Sequence, residues 1–273
     1  MTPRLAPSSP ANARVRGWLA LRDRAERERT GQTLIDGARE IDRAIDGGVV
    51  LRELVVGPDD SLSEGGRSVA ARVAETGVPI VPVSVRIIER LAFGDRRDGV
   101  VAVARIPAQG LDRLPTRGGL LVVVLEAVEK PGNLGAVLRA TDGAGADAVL
   151  LADPVTDAFN PNAIRASLGT VFSVPLAIAS ATEALAWCRT QGLRVVAARV
   201  DGERAWDRVD LRGGVALAFG SEAHGLSATW SAAEVETVRL PMLGVGDSLN
   251  VAATAAVLLY EARRQRGIPG EET

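Results

Sequence analysis

The feature that most constrains this chain is a run of six residues without one polar side chain, Leu120 to Leu125 (LLVVVL). A strand so uniformly apolar suits a sheet covered on both faces. Further strand-like runs follow at 148–152, 171–177, 194–200, 215–219 and 235–240. Between them lie stretches with helical spacing at 133–142, 160–168 and 183–191, and a long final helix at 249–266. This alternation predicts an α/β fold, a mostly parallel sheet with helices on both faces.

The N-terminal part reads as a separate, smaller α/β domain. A charged helix is expected from Asn12 or Ala13 to about Glu28, and a second helix over Thr33 to Ile45, ended by Gly47 and Gly48. Strands are expected at 51–56, 79–83 and 99–106, with helices at 68–75 and 84–91. The domain plan is therefore a disordered arm over 1–12, a first domain over 13–107, a Pro- and Gly-rich linker over 108–118, a second domain over 119–267 and a tail over 268–273.

Charge and composition exclude several chemistries. The single cysteine, Cys188, permits no internal disulfide, and with one histidine, His224, no His- or Cys-based metal site can form. No metal is expected. No apolar run has signal-peptide length at the N-terminus, and the apolar stretch 249–260 is too short for a bilayer, which points to a cytoplasmic protein with no membrane partner. The net charge is -2, yet seven arginines stand between Met1 and Thr30 against three acids. Arg suits phosphate because its planar fork donates in pairs. Aromatics are 3 % of residues, so base stacking is a poor route to nucleic acid here.

Three strand ends carry polar groups, and ligands of parallel sheets sit beyond such ends. The first is Lys130-Pro131-Gly132-Asn133-Leu134-Gly135-Ala136-Val137-Leu138-Arg139, where Asn133 fits a helix N-cap. The second is Phe219-Gly220-Ser221-Glu222-Ala223-His224-Gly225-Leu226-Ser227, with glycines that allow close backbone approach to a ligand. The third is Leu240-Pro241-Met242 … Asp247-Ser248-Leu249-Asn250-Val251, where Asp247 or Ser248 could cap the last helix. The one Gly-x-Gly, Gly143-Ala144-Gly145, lacks the spacing of a dinucleotide fingerprint, which argues against a nicotinamide-dependent dehydrogenase.

In order and spacing these motifs resemble the SpoU (TrmH-like) branch of the SPOUT RNA methyltransferases. Asn160-Pro161 … Arg165-Ala166-Ser167-Leu168-Gly169 is similar to the same family, although Asn162 stands where many relatives have lysine. The resemblance implies a parallel sheet with a C-terminal deep trefoil knot and a homodimer packed near it. More weakly, Leu34-Ile35-Asp36-Gly37 and Leu54-Val55-Val56 resemble the family's L30e-like RNA-binding domain. The implied activity is S-adenosylmethionine-dependent methylation of a ribose 2′-hydroxyl, with 23S ribosomal RNA as substrate. Transfer RNA and a non-catalytic RNA- or ribosome-binding role are the alternatives.

On that resemblance the catalytic set is Arg139, Asn133, Glu222, Ser248 and Asn250. The cofactor set is Phe219, Gly220, Ser221, Glu222, Leu240, Met242, Ser248 and Leu249. A guanidinium does not give up its proton in proteins. Arg139 is therefore expected to grip phosphate and stabilise the forming alkoxide, with Glu222 orienting it. The RNA-contact candidates are Arg14, Arg16, Arg22, Arg24, Arg39 and Arg165.

Overall fold

A computed structural model describes residues 9, 11–93 and 98–267 of the chain. Most of the expected 1–12 arm and all of the 268–273 tail lie outside the described residues. The chain divides into two compact units: residues 1–107 with 157–173, and residues 108–156 with 174–273.

The first unit runs α1 (Ala13–Ala20), α2 (Arg24–Thr30), β1 (Gln32–Asp36), α3 (Ala38–Asp46), β2 (Leu51–Val56), α4 (Glu64–Ala74), β3 (Ile80–Pro82), α5 (Val85–Leu91) and β4 (Val100–Arg105). Its sheet order is β1-β4-β2-β3, with β4 antiparallel to both neighbours and β2 parallel to β3. The apolar core gathers Val15, Trp18, Leu34, Val55, Ile87 and Val103.

Two expectations change here. The single charged helix divides into α1 and α2, and the buried Arg27 donates to the carbonyls of Leu21 and Arg22 left open at the break. The helix expected from Thr33 begins as strand β1, in register with β4 from Gln32↔Arg105 to Asp36↔Val101. Gly37, at φ +106°, then turns the chain into α3, a conformation other residues rarely adopt. Sheet pairing has overridden local periodicity.

The second unit is built from β5 (Leu121–Glu126), α6 (Pro131–Gly143) and β6 (Ala148–Ala152), after which α7 (Pro161–Ala166) belongs to the first unit. The chain returns with β7 (Leu176–Ala179), α8 (Ala181–Thr190), β8 (Arg194–Ala198), β9 (Arg204–Ala205), β10 (Val215–Phe219), β11 (Glu236–Arg239) and α9 (Val251–Arg266). The seven strands lie in the order β7-β6-β5-β10-β8-β11-β9, and every pairing is parallel. All six β5 residues are buried, as the apolar run requires. One face packs Val122, Val124, Leu150 and Ala216 against Leu185 and Trp187 of α8.

The strand expected at 171–177 is instead a short 3-10 turn, Thr170–Phe172, followed by β7. Pro175 has no N–H for a ladder, and register with β6 begins one residue later, at Val149↔Leu176. Segment 157–173 is tied into the first unit. Arg27 Nε donates to Asp157 at 2.7 Å, Thr33 Oγ1 to the Phe159 carbonyl at 2.7 Å and Arg43 to the Leu168 carbonyl at 2.8 Å. Residues 108–118 are likewise structured within the second unit. Leu114 is buried in its core, and the Gln109 carbonyl accepts from Ile178 N–H.

Candidate active site

Strand order reverses direction between β5 and β10: β6 and β7 lie to one side, and β8, β11 and β9 to the other. Such a switch point leaves a crevice at the carboxyl ends of the strands. Glu126 closes β5 and is buried. Its two oxygens accept from the Ser227 hydroxyl and N–H, both at 2.6 Å. This bond pins the far end of the loop that follows β10. The loop is tight: Gly225 N–H donates to the Ser221 carbonyl and His224 N–H to Ser221 Oγ. A Cβ at Gly220 would come within 2.2 Å of the Gly225 carbonyl oxygen, so only glycine fits.

This loop, the ends of β8 and β11, and the segment entering α9 surround a cavity of about 680 Å³. All eight expected cofactor residues line it: Phe219, Gly220, Ser221 and Glu222 from one side, Leu240, Met242, Ser248 and Leu249 from the other. Asp201, His224 and Asp247 line it as well.

At its rim three chain segments meet in one hydrogen-bonded cluster. Asn250 Nδ2 donates to Glu222 Oε1 at 2.6 Å and to Asn133 Oδ1 at 3.1 Å. Lys130 Nζ donates to the other Glu222 oxygen at 2.6 Å. The Lys130 ammonium first of all, with help from Asn133 and Asn250, holds the Glu222 carboxyl below the ordinary carboxylate range, against the opposing effect of desolvation. Glu222 in turn raises the Lys130 ammonium above its ordinary range.

Two caps differ from expectation, and both differences serve the cluster. Lys130 rather than Asn133 is the N-cap of α6, because Pro131 takes the first helical position, where its missing N–H costs nothing. The Asn133 side chain is thereby free to accept from Asn250. Asn250 rather than Asp247 or Ser248 caps α9, with Oδ1 accepting from Ala252 N–H at 2.9 Å. One amide thus caps a helix with its oxygen and joins the cluster with its nitrogen.

Of the expected catalytic set, Asn133, Glu222 and Asn250 come together, and Ser248 lines the neighbouring cavity. Arg139 is exposed on α6, and no side-chain hydrogen bond or ion pair joins it to the cluster or to other described residues. The expected Glu222–Arg139 contact is replaced by Glu222–Lys130. Sequence reasoning missed Lys130 and Glu126 as site-building residues. Lys130 had a signal as the chain's single lysine, and Glu126 as the carboxylate ending a wholly apolar strand.

The six RNA-contact candidates separate. Arg14 pairs with Glu53 and lies over Trp18. Arg22 donates to the carbonyls of Arg90, Leu91 and Ala92 and stacks on Phe93 at 4.4 Å. Arg24 pairs with Glu28, and Arg165 donates to the Phe93 carbonyl. Arg16 and Arg39 are exposed and have no such partner among the described residues. Nor do the described residues hold any group of three or more His, Cys, Asp or Glu able to bind a metal ion. No helix among them is long and apolar enough to cross a membrane.

A parallel sheet with a glycine-lined cavity at the carboxyl ends of β8, β10 and β11, bounded by carboxylates, has the layout of a ligand-binding α/β domain. Residues 120–260 match the SpoU rRNA Methylase family and residues 12–102 the MRM3-like substrate binding domain. The chain is 32 % identical to a 23S rRNA (uridine(2479)-2'-O)-methyltransferase of Streptomyces viridochromogenes, over 97 % of this chain and 94 % of that protein. Among solved structures, an RNA 2'-O ribose methyltransferase superposes with a TM-score of 0.83 at 40 % identity, covering 94 % of this chain and 98 % of that one. An AdoMet-bound rRNA methyltransferase from Sinorhizobium meliloti superposes with a TM-score of 0.85 at 29 % identity, covering 94 % and 96 %. The chain belongs to the SpoU rRNA methylase family.

Proposed function

We propose that this protein methylates a ribose 2′-hydroxyl of 23S ribosomal RNA, with S-adenosylmethionine as methyl donor. The observation that carries this reading is the strand-end cavity whose rim is the Lys130–Glu222–Asn250–Asn133 cluster, in a chain similar along its length to 23S 2'-O-methyltransferases.

The residues present fit the donor. Its adenosine needs apolar walls and backbone groups, which Phe219, Leu240, Met242 and Leu249 and the glycine-lined loop supply. Its cationic centre suits a cavity lined by Asp201, Glu222 and Asp247. When bound, S-adenosylmethionine supplies an electrophilic methyl group. The chain's own part is to position the ribose and favour the alkoxide form of its hydroxyl. Arg139, exposed and without a side-chain partner among the described residues, takes the phosphate beside the target ribose and stabilises developing negative charge. Asn133, Ser248 and Asn250 fix the geometry around Glu222. Arg16 and Arg39 of the first unit are the RNA contacts best supported by their exposure.

The same reading includes an L30e-like fold for the first domain, a trefoil knot at the cavity loops, a cytoplasmic location and a homodimer. Leu243 and Val245 are fully exposed and Tyr260 is more than half exposed, an apolar set that suits a second copy of the chain.

The test is transfer of a labelled methyl group from S-adenosylmethionine to separate pools of ribosomal and transfer RNA. Label in ribosomal RNA supports the proposal. Label in transfer RNA moves the substrate, and cofactor binding without transfer to either pool points to an assembled particle. Absence of cofactor binding points to a non-catalytic RNA-binding role.

A further inference from the structure

Lys130 breaks a local rule. It is the N-cap of the 13-residue helix α6, yet its side chain makes no capping bond. Its charge also sits at the helix end where the macrodipole disfavours a cation. Ser, Thr, Asp or Asn would stabilise the helix there, through a hydrogen bond that lysine cannot accept. A local rule broken at a strand-end site asks for a compensating use. The structure supplies one at 2.6 Å, the bond from Lys130 Nζ to Glu222 Oε2.

That bond contributes little to stability. The side chains are 70 % and 31 % exposed, and exposed pairs are worth little against the entropy of holding two long side chains. Orientation is a different matter. Glu222 offers one oxygen to Lys130 and the other to Asn250, whose amide nitrogen also reaches Asn133. Without the ammonium one carboxylate oxygen loses its charged partner, and the plane of the group is held only by the neutral amides of Asn250 and Asn133. Glu222, with Val251, also lines both the 680 Å³ cavity and a smaller depression of about 270 Å³ that includes Val128, Lys130 and Asn133. Its orientation therefore shapes both.

We propose that Lys130 is a positioning residue for methyl transfer: its ammonium locks the Glu222 carboxylate and thereby aligns Asn250 and Asn133 at the cavity rim. The inference rests on the functional reading above, and it makes Lys130, in place of Arg139, the cation that Glu222 engages.

The test uses the full chain with Lys130→Ser, which restores a good cap, and Lys130→Arg, which keeps the cation. The first readout needs no substrate. In ¹³C-carboxyl NMR, Glu222 should titrate at higher pH in Lys130→Ser than in the wild type, while Lys130→Arg stays close to the wild type. The second is kinetic. Lys130→Ser should lower kcat by about tenfold, the size of one charge-assisted contact, with KM for RNA changed less than twofold. Its acid limb of activity should move to higher pH, and Lys130→Arg should recover most of the rate. Thermal unfolding of Lys130→Ser should be unchanged or later, which separates positioning from folding. An unshifted Glu222 titration in Lys130→Ser would overturn the proposal, as would an unchanged kcat beside an active wild type. A wild type that transfers no methyl group would overturn the functional reading, while the Glu222 titration would still decide the role of Lys130.

Discussion

Arg27 in the first unit and Arg139 in the second share a residue type and a helical setting, and little else. Arg27 is 1 % exposed, and its guanidinium is divided among Asp157 and two carbonyls at a helix break. Arg139 is exposed, and its side chain has no hydrogen bond or ion pair among the described residues. One guanidinium is fully engaged inside its unit, and the other has no partner among the described residues. The same division runs through the basic N-terminal stretch. Arg14 and Arg22 hold their own unit together, whereas Arg16 projects without a partner among the described residues. Basic charge in a sequence is therefore not by itself an RNA surface. What matters is whether each fork is already engaged.

The contrast can be broken most decisively at Arg27. Arg27→Ala leaves Asp157 Oδ2 and two carbonyls without their donor, and breaking a buried pair costs about 3–5 kcal/mol. Urea unfolding should show that loss. A cost under about 1 kcal/mol would place Arg27 with the surface arginines. At Arg139 the loss should be functional instead. Arg139→Ala is expected to lower turnover by about 10²–10³, with S-adenosylmethionine affinity and unfolding midpoint unchanged. Equal losses in turnover and cofactor affinity would make Arg139 structural.

A third effect concerns pH. Burial, opposed by the Phe93 N–H and by Arg165, pushes the Asp36 carboxyl up from 3.8 to about 6. The folded chain therefore holds this proton more tightly than the unfolded one. The resulting stability is fully present below pH 3.8 and is lost as pH rises through about 6. Asp36→Asn should thus be more stable than the wild type above pH 7, by about 3 kcal/mol. The gap should close by about pH 4, as read by urea unfolding at several pH values. A gap independent of pH would exclude Asp36 as its source. The smallest effect sharpens the division among surface arginines. Arg16→Ala with Arg39→Ala should weaken RNA binding by about fivefold and flatten its salt dependence by about 1 per residue. Arg22→Ala should act mainly on stability.

The sequence carried the second unit's sheet clearly, because β5 and β6 are continuous apolar runs that fit only a doubly covered strand. It misread β1, where Thr33–Asp36 has helical spacing but is held by its ladder to β4, a partner about seventy residues away in the chain. Sequence adjacency puts segment 157–173 in the second domain, and it cannot see the bonds from Arg27, Thr33 and Arg43 that tie the segment into the first unit. At the site, motif spacing brought Asn133, Glu222 and Asn250 to one place. It did not show which group each side chain would bond, because that depends on caps. Pro131 displaced the cap of α6 to Lys130, and Asn250 became a cap itself. The two shifts together produced the Lys130–Glu222 contact that spacing alone could not give.

The proposed acceptor is a ribose 2′-hydroxyl. A methyl group there removes the nucleophile that alkali uses to cleave the adjacent phosphodiester. The most direct measurement is therefore to methylate ribosomal RNA with labelled S-adenosylmethionine, hydrolyse it fully in alkali and ask where the label goes. We predict that it is retained in an alkali-resistant dinucleotide, and that the Arg139→Ala protein gives almost none. Label released in mononucleotides would mean a methylated base and would contradict the account.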